Sequence, residues 1–170
     1  MKIRQEQPED FPAIYELVQA AFLTAEQADG TEQDLVVSLR HTAQYVPKLA
    51  LVAEKEGQII GYGLWTKISL GGKEELALAP LAVSPEEQNK GVGQSLMVEG
   101  HRRAKEMGYD CVVVLGNPAY YAKAGFLPAS SFGIRLHFPV PEEYGMILPL
   151  GNGEIPQGMV TYAPPLMGER

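Results

Sequence analysis

The chain has 170 residues, of which 45% are hydrophobic and 21% charged, a composition typical of one globular domain with a substantial core. Its net charge of −7 argues against a nucleic-acid partner, which would require a basic face. The single cysteine, Cys111, excludes an internal disulfide, and the lack of a signal-peptide core or of an apolar run of membrane-spanning length predicts a cytoplasmic protein without a membrane partner.

The N-terminal part predicts two amphipathic helices. In the first, Pro8 and two acidic residues suit the first turn, and apolar residues then recur at helical spacing: Phe11, Ile14, Leu17, Val18, Ala21 and Phe22. The second and shorter helix lies in the segment TEQDLVVSLRHT, with Leu35, Val36 and Leu39 on one side.

Strands follow. An apolar strand over Leu49–Ala53, a turn at Glu56 and Gly57, and a strand over Gln58–Ser69 form a hairpin, and a third strand runs from Glu74 to Val83. A long helix over roughly Gly91–Met107 leads to DCVVVLG, which is typical of a strand buried on both faces, and then to a short helical turn in PAYYAKAG. Residues 126–170 carry seven of the thirteen prolines and predict strands broken by loops, in GIRLHF, GMILPL and MVTYAP. This order of elements predicts one α/β (α+β) domain with a mixed central sheet and helices on both faces.

Gly91 and Gly93, at the start of the long helix, suggest that a backbone approaches a ligand there. A Walker loop is excluded, because Lys90 precedes the glycines and no Lys-Ser/Thr pair follows them. A dinucleotide fingerprint fits poorly, since Leu96 occupies its third glycine position and the acid it needs, Asp110, would begin a strand rather than end one. The pattern Q/R-x-x-G-x-G/A is matched in full by QNKGVG, Gln88 to Gly93, and a plain tight turn remains open.

The third pattern has a direct physical basis. The first N–H groups of a helix have no acceptor within it and carry the positive end of the helix dipole, so they can bind a diphosphate that no Cβ obstructs. Gly91 and Gly93 remove that obstruction, while Gln88 adds a donor and Lys90 a positive charge.

The stretch Leu78–Phe126, which includes this loop and ends in YYAKAGF, resembles the GNAT superfamily of acetyl-CoA-dependent N-acetyltransferases. The tail EEYGMILPL…GMVTYAPPL is similar to bacterial members with a long β-rich C-terminus. The resemblance implies that residues 1–170 form a single acyl-CoA N-acyltransferase domain with a GNAT-like, mostly antiparallel sheet. It also implies acetyl-CoA (CoA) as co-substrate and no metal.

Residue by residue, the resemblance implies a CoA site in three parts. One strand matches the part of the family that holds the pantetheine arm: Leu81, Ala82 and Val83. The loop and helix start match the diphosphate site: Gln88, Asn89, Lys90, Gly91, Val92, Gly93, Gln94 and Ser95. Asn117 matches an asparagine that often touches the cofactor, and Tyr121 matches the tyrosine that protonates the departing thiolate, with Tyr120 as the alternative.

The residues themselves support part of this assignment. Pro80 cannot donate a hydrogen bond to a neighbouring strand, so regular pairing should fail near it. Backbone donors at Leu81 and Ala82 would then be free, although an ordinary strand-edge proline is equally compatible with the sequence.

The general base is not evident. The candidates are Glu32, Glu74, Glu75, Tyr15 and a water chain, each of which is also compatible with a solvated surface role. Cys111 is expected to be a core residue rather than a nucleophile, His101 is expected to face solvent, and the three histidines lack the spacing of a metal site.

The predicted reaction is therefore transfer of the acetyl group of acetyl-CoA to a primary amine by direct attack in a ternary complex. The acceptor is a small-molecule or peptide amine that the sequence does not identify, and a homodimer is left open. One alternative is a CoA-binding sensor or regulatory module with little or no turnover, and another is a nucleotide-binding protein that prefers ATP or NAD.

Overall fold

The computed structural model describes residues 1–25, 28–138 and 140–168. Its main sheet has seven strands in the order β1-β2-β3-β4-β5-β8-β6, and the pairs are antiparallel except for β4 with β5. These strands are β1 (Lys2–Gln5), β2 (Tyr45–Lys55), β3 (Gln58–Leu70), β4 (Lys73–Val83), β5 (Cys111–Leu115), β6 (Leu127–Pro128) and β8 (Gly145–Pro149). Two short strands, β7 (Ile134–Arg135) and β9 (Gly158–Met159), pair in parallel as a second sheet.

Helices cover both faces of the main sheet, as predicted. They are α1 (Phe11–Phe22), α2 (Glu32–Leu39), α3 (Val92–Glu106) and α4 (Pro118–Ala122). Neighbouring residues of β2 point into different cores, Leu51 toward α3 and Val52 toward α1 and α2, which is the period-two alternation of a strand buried on both sides. A third cluster, with Val113 of β5 and Ile147 of β8, lies under the C-terminal segments.

The parallel pair β4–β5 is short. Only Leu76 with Val112 and Ala77 with Val113 are in register, after which β4 continues to Val83 beside β3 while β5 pairs with β8. The two strands therefore separate beyond Ala77. We call the opening between them the strand gap.

A bulge in β4 accompanies this separation. Opposite β3, Trp65 pairs with Leu78 but Gly63 pairs with Leu81, so β4 holds one extra residue in this interval. The interval contains Pro80, which has no N–H to donate, and the peptide bond before Pro80 is cis. The predicted irregularity at Pro80 is thus present.

Several sequence expectations need correction. Strand β1 was not predicted, because Lys2–Gln5 has almost no apolar pattern and is held by backbone pairing with β2 at the sheet edge. GIRLHF contributes only the two residues of β7, and MVTYAP contributes only the end of β9 and an isolated bridge from Thr161 to Ser69. Pro139 and residues 169–170 of this predicted segment lie outside the described residues.

No helix in residues 1–25, 28–138 and 140–168 is long and apolar enough to span a membrane.

Candidate active site

One edge of β4 is unpaired along the strand gap. Leu81, Ala82 and Val83 pair with β3 on one side, and among the described strands none pairs with their other edge. Backbone N–H and C=O groups alternate between the two edges of a strand, so this stretch can accept an extended, amide-containing ligand as an added strand.

The loop from Gln88 to Gly93, which we call the glycine loop, joins this edge to α3. The side-chain amide of Gln88 donates to the carbonyl of Val83 at 3.1 Å and so ties the loop to the end of β4. Asn89 and Gly91 both adopt positive φ, 64° and 86°. The first helical hydrogen bond runs from the N–H of Ser95 to the carbonyl of Gly91 at 3.0 Å. The N–H groups before Ser95 have no acceptor within the helix and lie at its positive end, where a diphosphate would bind.

The two glycines of this loop have different structural roles. A Cβ on Gly91 would meet no atom within 4 Å, so what this position requires is a residue that tolerates positive φ beside open space. Gly93 is buried, and a Cβ there would overlap the hydroxyl oxygen of Tyr120 and lie 3.6 Å from Cδ2 of Leu81. The interpretation that both glycines clear the way for a ligand therefore changes at Gly93, where the missing side chain makes room for Tyr120.

The charge of Lys90 is already partly neutralised. Its Nζ lies 3.7 Å from a carboxylate oxygen of Glu87, and Glu87 also lies 3.4 Å from Nζ of Lys55. Because Lys90 is exposed, this pair is weak and Lys90 can turn to another anion.

Helix α4 brings the two tyrosines to the strand gap. Asn117 caps the helix, its Oδ1 accepting from the N–H groups of Ala119 at 2.9 Å and Tyr120 at 3.3 Å, so the structure gives Asn117 a structural role next to the expected cofactor contact. The ring of Tyr121 lies on Gly116, just after β5, and packs edge-on against Phe126 with centroids 5.4 Å apart.

Both phenols are suited to remain protonated. Burial raises the pKa of Tyr121 well above its usual range, and the neighbouring Tyr120 adds to the increase. Burial also raises the pKa of Tyr120. The rings stand 5.0 Å apart, and each packs against the same core as α3. The structure thus places both candidate acids beside the strand gap.

The candidate bases do not gather there. Glu75 is 1% exposed and accepts from the N–H groups of Asp110 at 2.9 Å and Cys111 at 3.2 Å, so its solvated surface role was a wrong alternative. It secures the start of β5, at the closed end of the β4–β5 pair, and burial raises its pKa. Glu74 pairs with Lys67 at 3.5 Å.

The other two candidate bases are Tyr15 on α1 and Glu32 on α2, and each accepts or donates a hydrogen bond. The Tyr15 hydroxyl donates to Asp34 at 2.7 Å, a bond that raises the pKa of Tyr15 and so keeps its phenol protonated at neutral pH. Glu32 accepts from the backbone N–H of Asp29 at 2.9 Å through Oε2, whereas its Oε1 is buried without a partner among the described residues. Glu32 lines a separate pocket with Gln19 and Phe22, so this free oxygen belongs to the α1–α2 side and not to the residues that line the strand gap.

Cys111 is an interior residue, and His101 is half-buried with its ring turned toward the core. Cys111 is fully buried in β5, and burial raises the pKa of its thiol to about 12, which confirms a core role. His101 was wrongly expected to face solvent. Its ring lies 5.6 Å from that of Trp65 and 5.7 Å from that of Phe126, Nε2 is buried without a partner, and burial lowers its pKa to about 4. Within the described part of the chain, no group of three or more His, Cys, Asp or Glu side chains could hold a metal ion.

Known proteins share this arrangement. The sequence model of the Acetyltransferase (GNAT) family matches residues 11–126. The uncharacterized N-acetyltransferase YjhQ of Escherichia coli is 40% identical over 118 residues, which are 66% of this chain and 65% of that protein. The uncharacterized N-acetyltransferase YhbS of the same species is 36% identical over 145 residues, 84% of this chain and 83% of that one.

Solved structures agree with the sequence comparison. The crystal structure of Escherichia coli YhbS in complex with CoA superimposes with a TM-score of 0.86 at 31% identity and covers 98% of this chain and 91% of its own. A GNAT family acetyltransferase from Brucella melitensis in complex with acetyl-CoA gives 0.81 at 29% identity, with 97% of each chain covered. The divergent β4–β5 pair and the glycine loop thus define a GNAT fold. The chain belongs to the GNAT family of acetyltransferases, as its sequence predicts.

Proposed function

We propose that this protein is an N-acetyltransferase, in which residues 1–170 form one catalytic domain that transfers the acetyl group of acetyl-CoA to a primary amine. The observation that carries the proposal is the strand gap, where the unpaired edge of β4 runs directly into the glycine loop and the start of α3. A pantetheine arm and a diphosphate need these two features side by side, in this order. The CoA and acetyl-CoA complexes of the two similar structures support the same cofactor.

Each part of the cofactor would meet a different element. The backbone of Leu81, Ala82 and Val83 would bind the pantetheine amides as a neighbouring strand does. The backbone N–H groups of Val92, Gly93 and Gln94 would bind the diphosphate, and the exposed Lys90 would add a positive charge. Asn89 and Ser95 complete the loop and the first turn on either side.

We infer that the amine attacks acetyl-CoA directly in a ternary complex. The neutral amine nitrogen attacks the thioester carbon, a backbone N–H at the bulge stabilises the oxyanion, and the C–S bond then breaks. Tyr121 donates its phenolic proton to the departing sulfur and regains a proton from solvent. The proton that the amine loses leaves through water and balances the proton that Tyr121 regains, so a neutral amine and acetyl-CoA give the acetamide and CoA thiol with no net release of protons. A covalent route through Cys111 is disfavoured, because its thiol is buried and protonated.

Cofactor binding is tested by thermal unfolding with four ligands at equal concentration. Acetyl-CoA and CoA should each raise the melting temperature, by the equivalent of about 2.7 kcal/mol at one hundred times the dissociation constant. ATP and NAD should do much less. Equal shifts for all four, or no shift for any, would contradict the CoA assignment.

Turnover is tested separately by release of free CoA thiol with a panel of amines. Because no candidate base among the described residues lies free beside the strand gap, the specific alternative is a CoA-binding sensor with little or no turnover. Binding of CoA without thiol release for any amine would favour that alternative. A cytoplasmic location, a homodimer and the lack of a nucleic-acid partner stay predictions of the sequence.

A further inference from the structure

A second concave site adjoins the far side of the strand gap. It is a pocket of about 260 Å³, which we call the C-terminal pocket, and it lies between the end of β5 and residues 129–145 of the C-terminal segment. Most of its lining is apolar, including Leu115, Ile134, Phe138 and Met159.

The position of the pocket relates it to the reaction proposed above. Leu115 ends β5 and, by strand alternation, lies on the same face as Val113, the face that carries the C-terminal segment. Tyr120 and Tyr121 pack against the opposite face, with α3. The N–H of Gly116 donates to the carbonyl of Tyr144 at 3.0 Å and so holds the pocket wall against the end of β5. A thioester in the strand gap would therefore have the cofactor loop on one face and the C-terminal pocket on the other.

Two charged side chains of opposite sign line this apolar pocket. They are Arg135 and Glu142, and both residues are exposed to solvent at the edge of the pocket. Among residues 1–25, 28–138 and 140–168, neither forms an ion pair or a side-chain hydrogen bond, with the other or with any other residue. One unpaired cation and one unpaired anion beside an apolar surface are complementary to a small zwitterion with an apolar body.

We propose that the C-terminal pocket is the acceptor site and that it takes a free α-amino acid with an apolar side chain. This inference rests on the proposed acetyltransferase function. Arg135 binds the carboxylate of the amino acid, Glu142 attracts its ammonium group before deprotonation, and the side chain fills the apolar pocket. The volume of about 260 Å³ suits a ligand of this size and is below that of pockets for drug-sized molecules.

The carboxylate distinguishes this acceptor from a peptide N-terminus. A peptide with the same first residue offers the same amine and side chain but an amide in place of the carboxylate, and it would leave Arg135 unpaired. Amino acids with charged side chains are disfavoured, because an apolar lining cannot replace the hydration of a second charge.

The test compares leucine with leucine amide by thiol release from the full chain at saturating acetyl-CoA. The kcat/KM of leucine should be at least about tenfold higher than that of leucine amide. A factor of this size corresponds to the usual free energy of a hydrogen bond to a charged group. Leucine amide has the less basic amine and hence more of the reactive neutral form, so a preference for leucine would oppose intrinsic reactivity. Equal rates, or faster acetylation of the amide, would overturn the proposal and favour a peptide N-terminus.

Single substitutions test which side chain causes the preference for leucine over leucine amide. Arg135→Gln should raise the KM for leucine about tenfold and leave the rate with leucine amide unchanged. Glu142→Gln should raise the KM for both compounds, because both carry the ammonium group. Glu143→Gln changes the neighbouring exposed carboxylate, which does not line the pocket, and should change neither. Equal losses for both compounds in Arg135→Gln would overturn the carboxylate contact.

The failure of this inference is distinguishable from failure of the proposed function. If acetyl-CoA stabilises the chain and another amine, such as a polyamine, is acetylated while leucine is not, only the acceptor assignment is wrong. If acetyl-CoA does not stabilise the chain and no amine releases thiol, the acetyltransferase assignment itself is wrong.

Discussion

The packing of Tyr120 against Gly93 can be tested by adding one methyl group. In Gly93→Ala the new Cβ would overlap the Tyr120 hydroxyl oxygen, whereas the next ring atom, Cζ, lies at 3.4 Å, an acceptable contact. Tyr120→Phe removes only that oxygen, which forms no hydrogen bond with the described residues. The two substitutions should therefore interact.

The expected magnitudes follow from two opposing effects. Overpacking of a buried site costs about 1–3 kcal/mol of the free energy of unfolding, while alanine is favoured over glycine within a helix by about 1 kcal/mol. Gly93→Ala alone should therefore destabilise the protein by about 0–2 kcal/mol. In the Tyr120→Phe background the overlap is gone, and Gly93→Ala should stabilise the protein by up to about 1 kcal/mol. The coupling between the two sites is then about 1–3 kcal/mol.

Urea unfolding of the four proteins, monitored by the single and fully buried Trp65, measures this coupling. Gly91→Ala is the matched control. Gly91 has a φ of 86° and open space around its Cα. An alanine there would meet no neighbour but would be strained, so the substitution should cost about 1–2 kcal/mol in either background. Equal effects of Gly93→Ala in both backgrounds, to within about 0.5 kcal/mol, would refute the packing and restore Gly93 as a position that clears a ligand's approach.

Three further outcomes are expected. Tyr121→Phe should lose about 10²–10⁴-fold in kcat on one accepted amine while its affinity for acetyl-CoA is kept, and Tyr120→Phe should lose much less; the reverse result in steady-state assays would identify Tyr120 as the acid. Burial lowers the pKa of His101 to about 4 from an ordinary value of 6.5, so the unfolded chain binds more protons between these values. The free energy of unfolding should thus fall as the pH drops from 6.5 toward 4, by at most about 3 kcal/mol, and His101→Gln should remove this part of the pH dependence in urea titrations. Cys111→Ala should retain kcat, and loss of turnover in this variant would point to a covalent intermediate. The native thiol is buried, with a pKa of about 12, and should resist thiol reagents until the chain unfolds.

His101 was assigned to the wrong side of α3, although the sequence holds a signal for its burial. It lies four residues after Met97 and three before Ala104, both buried, so helical periodicity places it on the core face. The polar imidazole of His101 favoured a solvent-facing position. An imidazole can nevertheless lie among aromatic rings, provided that it stays neutral. Glu75 had no such signal, because its donors are the N–H groups of Asp110, just before β5, and of Cys111, the first residue of β5, and contacts with a distant strand cannot be predicted from a local pattern.

Features that depend on neighbours along the chain could be predicted before the fold was known. Periodicity and turn residues predicted α1 to α3 and the strands from β2 to β5, and the spacing of Gln88, Gly91 and Gly93 predicted a helix start suited to a diphosphate. The contacts across the sheet became visible in the fold alone. There, β4 and β5 separate after Ala77, Tyr120 fills the space over Gly93, and one pocket is lined by both Arg135 and Glu142. This division arises because helix and strand patterns are set by local geometry, whereas pockets and contacts come from packing between segments far apart in the chain.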